Sequence, residues 1–139
     1  MRVMSQGAVS ATSRHRSRTR VMIGATLVLL FAEFLIGMFV NLFVPTPGRQ
    51  PVLLAHILLG TALVVVAAVT AVVAIAGRRS GTAALAVGGL VFLVVAWVGG
   101  DRFLAFGGHN VDSYLMAAGF VLASACYVLA LERSRGRDA

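Results

Sequence analysis

Four long apolar stretches, separated by short polar connections, constrain this chain more than any other feature of its sequence. They occupy residues 21–44, 51–76, 82–98 and 114–131. A bilayer has a hydrocarbon core about 30 Å thick, which takes roughly 20 helical residues to cross. Each stretch is therefore predicted to be a transmembrane helix. Since every connection is short, consecutive helices should be antiparallel neighbours in an all-α, up-down-up-down four-helix membrane bundle.

The composition indicates that lipid is the solvent of this chain. Its 139 residues are 59% hydrophobic and only 12% charged, with a mean hydropathy of +0.92, whereas roughly 25% of the residues of soluble domains are charged. The net charge of +7 is concentrated at the two ends of the chain and at Arg78 and Arg79. This distribution is typical of membrane topology and not of nucleic-acid binding.

The segments outside the apolar stretches are basic. Residues 1–20, which contain no acidic or aromatic residue, are predicted to be a disordered tail, and residues 132–139 form a second basic tail. Ten arginines lie in these tails or between the second and third stretches, and two, Arg49 and Arg102, lie near the opposite helix ends. The positive-inside rule then predicts a multi-pass membrane protein with both termini cytoplasmic. The absence of lysine and the heavy use of Ala, Val, Gly and Arg favour a bacterial plasma membrane. Its tails would contact anionic lipid headgroups.

Three polar residues lie within or near the ends of the predicted spans. Glu33 is close to the middle of the first span, where a charged residue costs about 2.5 to 3.5 kcal/mol on insertion scales. We expect a protonated, neutral Glu33 that is hydrogen-bonded to a neighbouring helix, and the alternative role is a proton or cation relay. Asn41 and His56 lie on either side of the first turn, so they are predicted to meet across that hairpin.

Residues 99–113 are predicted to be an amphipathic loop at the outer surface. Four outer-loop candidates lie in it, namely Asp101, Arg102, His109 and Asp112. Together with His56 they would form an outward-facing polar patch, which is either a site for haem b, a metal or a small polar ligand, or simply the hydrated end of the bundle. The spacing is not that of a zinc site, and only His56 lies at a depth suited to an axial haem ligand. No metal site and no resident cofactor are therefore predicted.

Several short motifs give the chain a resemblance to a group of known proteins. They are Gly37-Met-Phe-Val-Asn41-Leu-Phe-Val-x-x-Pro47, His56-x-x-Leu-Gly60, Phe103-Leu-Ala-Phe106 and Ser113-Tyr-Leu-Met-Ala117. In these the chain resembles the uncharacterised small four-helix integral membrane proteins of actinobacteria. The resemblance implies a topology and supplies no activity, substrate or cofactor.

Three functional hypotheses follow. The sequence contains no glycine-rich phosphate loop, GxSxG or His-Glu-x-x-His motif, so an enzyme is not expected. The first hypothesis is a non-enzymatic interaction or auxiliary subunit, bound to a membrane protein partner or to copies of itself, with Glu33, Asn41 and His56 in interhelical contacts. The alternatives are a protein that binds haem or another small ligand at His56, and an oligomeric proton-coupled exporter that uses Glu33.

Overall fold

The computed structural model of the chain consists of four long α-helices. It describes residues 3–43, 49–77, 80–106 and 110–135, with side chains from Arg16 onward except those of Asn41 and Arg49. The helices are α1 (Val3–Phe43), α2 (Arg49–Ala76), α3 (Ser80–Ala105) and α4 (Asn110–Arg135). Each contains a segment long and apolar enough to cross a membrane: Arg16–Val40, Gln50–Ala76, Ser80–Ala105 and Asn110–Arg135. The predicted all-α four-helix membrane bundle is confirmed.

The helices pack as a closed ring. α1 contacts α2 and α4, and α3 contacts α2 and α4, with the most extensive contact between α3 and α4. Phe34 of α1 stacks on Phe120 of α4, with 5.1 Å between the ring centroids. We call the end of the bundle where α1 is followed by α2, and α3 by α4, the hairpin end. The opposite end, where α2 is followed by α3 and α4 finishes, is the terminal end.

A narrow stripe on each helix faces the inside of the bundle. In α1 the buried residues include Ile23, Thr26 and Leu30, and in α2 they are Leu63, Ala67, Thr70, Ala71 and Ala74. Along these stripes the spacing alternates mainly between three and four residues, as it does in left-handed helical bundles. Only 22 to 28% of the apolar window in each span is buried inside the bundle, so most apolar side chains face outward, toward lipid.

Glycines bring the backbones of α3 and α4 together. A Cβ added at Gly119 would lie 2.7 Å from the Phe92 carbonyl oxygen, and one added at Gly99 would lie 2.9 Å from the Met116 nitrogen. The ring of Tyr127 lies over Gly89 in the same way. Helix association in lipid depends on such close packing because both lipid and protein are apolar. This explains why α3 and α4 share the largest contact.

The structure differs from the sequence prediction at several helix ends. α1 begins at Val3, within the segment predicted to be disordered. That segment contains no proline, and extending an existing helix costs far less than starting one. α3 continues past its predicted end at Val98 as far as Ala105, because Gly99 packs against α4 and does not end the helix. α4 begins at Asn110, before its predicted start at Tyr114, so most of the predicted outer loop belongs to α3 or α4.

Candidate functional site

Glu33 of α1 and His56 of α2 contact each other inside the span. Glu33 Oε1 lies 2.9 Å from His56 Nδ1, and the side chains are 14% and 25% exposed, respectively. The acidic residue that is most costly to place in lipid thus has a basic partner at ion-pair distance.

Each member of the Glu33–His56 pair lies over a glycine of the opposite helix. A Cβ added at Gly37 would lie 3.0 Å from Cε1 of His56, and one added at Gly60 would lie 2.8 Å from Oε1 of Glu33. Gly37 follows Glu33 by four residues, and Gly60 follows His56 by four. Residues four apart share one helix face, so the two antiparallel helices present the same arrangement to each other. The glycines provide the space that the two polar side chains fill.

The Glu33–His56 pair is not fully satisfied by hydrogen bonds. Oε2 of Glu33 and Nδ1 of His56 are buried, and neither atom has an aligned hydrogen bond within the described part of the chain. Nδ1 is close enough to Oε1 for an ion pair, but the direction of the contact departs from that of a good hydrogen bond. A buried polar atom without a partner costs about 1 to 3 kcal/mol. One carboxyl oxygen of Glu33 therefore has no hydrogen-bond donor among the described residues.

A second polar contact joins α1 and α2 nearer the terminal end. The hydroxyl oxygens of Thr26 and Thr70 are 2.9 Å apart. Each also lies near the carbonyl oxygen four residues earlier, at 2.9 Å from Met22 and 2.8 Å from Val66. Both threonines are fully buried. The α1–α2 interface thus contains two polar contacts, and Leu30 of α1 and Leu63 of α2 are buried in the common core of the bundle.

Comparisons with known proteins identify no relative. No protein-family model matches the chain, and no curated protein or solved structure matches it significantly. The actinobacterial resemblance is supported only in its topology, as four helices that are each able to span a membrane. Functional conclusions therefore rest on the residues themselves.

The hairpin end contains a second polar pair, between α3 and α4. Arg102 Nε donates to Asp112 Oδ1 at 3.0 Å, and the Asp112 side chain is buried while that of Arg102 is exposed. The guanidinium of Arg102 also lies 5.5 Å from the centroid of the Phe106 ring. Asp112 is in the first turn of α4, where the helix dipole favours a negative charge. This pair fixes the end of α3 to the start of α4.

The predicted outward polar patch divides into separate contacts in the structure. Within the described residues, His56 pairs with Glu33, and Arg102 pairs with Asp112, with no ion pair between the two groups. Asp101 is exposed. His109 and the side chain of Asn41 lie outside the described residues, so the predicted contact between Asn41 and His56 does too.

Sequence reasoning singled out Glu33 and His56 without pairing them. The signal that could have paired them is the glycine four residues after each, because a notch in one helix accommodates a bulky polar side chain of the other. Sequence reasoning also missed Arg20, whose Nε donates to the Ser134 carbonyl oxygen at 3.0 Å. A cation at this position satisfies a carbonyl at the C-terminal end of α4 and complements the helix dipole.

Proposed function

We propose that this chain is a non-enzymatic interaction or auxiliary subunit of the bacterial plasma membrane. The observation that carries the proposal is the arrangement of Glu33 and His56, which engage each other across α1 and α2. Polar groups used in this way stabilise the hairpin and leave the outer faces of the helices apolar. A partner membrane protein or a second copy of the chain would bind to those faces.

The surface of α1 near the hairpin end supports a lateral partner. Phe31, Phe39 and Phe43 are large, apolar and exposed on the outside of the bundle. Phe39 and Phe43 also contact each other, with 5.8 Å between the ring centroids. Association within a bilayer requires close packing of side chains, and large aromatic rings provide contact area. Lipid occupies this surface when no partner is bound.

The basic residues of the terminal end support an orientation with both termini in the cytoplasm. Arg18, Arg133 and Arg135 are exposed, and the contact between Arg20 and Ser134 brings α1 and α4 together at this end. Each arginine near an anionic membrane surface contributes about 1 kcal/mol of attraction. Anionic lipid headgroups of the inner leaflet are therefore the expected ligands of this end of the bundle.

Site-directed photocross-linking in intact cells tests the interaction proposal. A photoreactive residue would replace Phe31, Phe39 or Val121, which are exposed, and as the matched control it would replace Leu63, which is buried. If the chain is a subunit, the exposed positions on one face of the bundle should give an adduct of one defined mass. Mass spectrometry should identify the cross-linked molecule as a single partner or a second copy. The control position should give no such adduct. Uniform lipid labelling from every exposed position, together with a monomer in native membranes, would contradict the proposal.

A further inference from the structure

The depth of the Glu33–His56 pair constrains how many protons it holds. A carboxyl group and an imidazole together carry zero, one or two ionisable protons, which gives net charges of −1, 0 and +1. A net charge within the bilayer costs several kcal/mol. The neutral state, with one proton, is therefore the one that a site inside the span favours.

We propose that Glu33 and His56 together form a binding site for one exchangeable proton within the membrane. The proton binds to the carboxyl group of Glu33 or to the ring of His56, whose nearest polar atoms are 2.9 Å apart. Binding transfers a proton from hydronium to the pair, which leaves water and changes the charge of the pair from −1 to 0. Oε2 of Glu33, which is buried and has no hydrogen-bond partner among the described residues, is a second position for the same proton.

Exchange with water takes place from the hairpin end. Toward the terminal end α1 and α2 contribute the buried apolar side chains of Leu30, Leu63 and Ala67 to the core of the bundle. In the other direction, His56 follows the start of α2 by seven residues, about 10 Å along a helix, and it keeps 25% of its side chain exposed. Of the two ends of the bundle, the hairpin end is therefore the nearer source of water for the exchanging proton.

Among the described residues, no other ionisable group forms an ion pair or hydrogen bond with Glu33 or His56. In the span, α1 after Arg20 contains no ionisable residue except Glu33, and α2 after Arg49 contains none except His56. α4 contributes Cys126 and Tyr127 within its span, with Asp112, Tyr114, Glu132, Arg133 and Arg135 nearer its ends. α3 contributes Asp101 and Arg102 near the hairpin end. None of these forms an ion pair or hydrogen bond with the pair among the described residues.

Because the two glycines are matched, the Glu and the His can be swapped between α1 and α2. Glu33 and His56 occupy equivalent positions relative to Gly37 and Gly60. A double variant in which Glu33→His is combined with His56→Glu should therefore place the same two groups in contact. This variant separates a need for the pair from a need for either residue alone.

Infrared difference spectroscopy of the full chain in lipid bilayers tests the proposal. Spectra recorded as the buffer pH is changed would show the C=O stretch of any carboxyl group that gains a proton. We expect a band that is lost in Glu33→Gln, altered in His56→Gln and recovered in the double variant. Glu132→Gln is the matched control, because Glu132 is exposed and pairs with Arg135, and it should leave the band intact.

Two results would overturn the proposal. If Glu33→Gln has the same difference spectrum as the wild type, Glu33 does not exchange a proton. If His56→Gln leaves the Glu33 band unchanged, the ring is not part of the site. Circular dichroism of each variant confirms that it is folded, and the two single Gln variants decide between these outcomes even if the double variant does not fold. Neither result bears on whether the chain binds a protein partner.

Discussion

Gly119→Ala should destabilise the bundle because the added methyl group has no space between α3 and α4. A Cβ at this position would lie 2.7 Å from the Phe92 carbonyl oxygen, 2.8 Å from the Ala96 nitrogen and 3.0 Å from the Ala96 Cβ. Two of these atoms belong to the backbone of α3, which cannot rotate out of the way. The helices must move apart, and overpacking of this kind typically costs about 1 to 3 kcal/mol.

Gly24→Ala is the matched control for this measurement. A Cβ at Gly24 in α1 would meet no atom within 4 Å, so the substitution adds a methyl group without a clash. Both variants replace glycine by alanine within a helix, which favours the helix by up to about 1 kcal/mol in water. The difference between them removes this propensity effect and reports the steric cost at Gly119.

Steric trapping in lipid bicelles measures the free energy of unfolding of the two variants. We expect Gly119→Ala to be less stable than Gly24→Ala by about 1 to 3 kcal/mol. Gly88→Ala should behave like the control, because the nearest atom is the Cys126 sulfur at 3.6 Å, an ordinary contact. Equal stability of Gly119→Ala and Gly24→Ala would show that α3 and α4 do not approach as closely as described.

Three further predictions concern the polar contacts and the topology. Thr70→Val should destabilise the α1–α2 interface by about 0.6 kcal/mol, the average for hydrogen bonds between membrane helices. A double-mutant cycle with Thr26→Val measures the coupling energy between the two threonines, and a coupling energy of zero would exclude the contact. Asp112→Asn should cost no more than about 1 kcal/mol, because Arg102 is exposed and solvated, and a larger loss of unfolding free energy would mean that Arg102 is more deeply buried. In a Cys126→Ala background, an impermeant maleimide added to intact cells should label Arg49→Cys and not Arg79→Cys, and the reverse pattern would overturn the arginine-based orientation.

Two different mechanisms join the helices of this bundle. α3 and α4 associate through glycines that bring their backbones into contact, whereas α1 and α2 associate through Thr26–Thr70 and Glu33–His56. Close backbone packing resists any added volume, and polar contacts depend on the protonation and hydrogen bonding of a few side chains.

The sequence by itself determined the number of spans and their antiparallel order. Both follow from the lengths of the apolar stretches and of the connections, because a bilayer requires every backbone polar group of a span to be satisfied within a helix. Only the tertiary structure decided that Glu33 meets His56 and that Gly99 lies within α3. These outcomes depend on how each helix is rotated about its axis and shifted along its neighbour. Hydropathy does not contain that information, since the rotation and shift are set by the side chains that fit together where the helices touch.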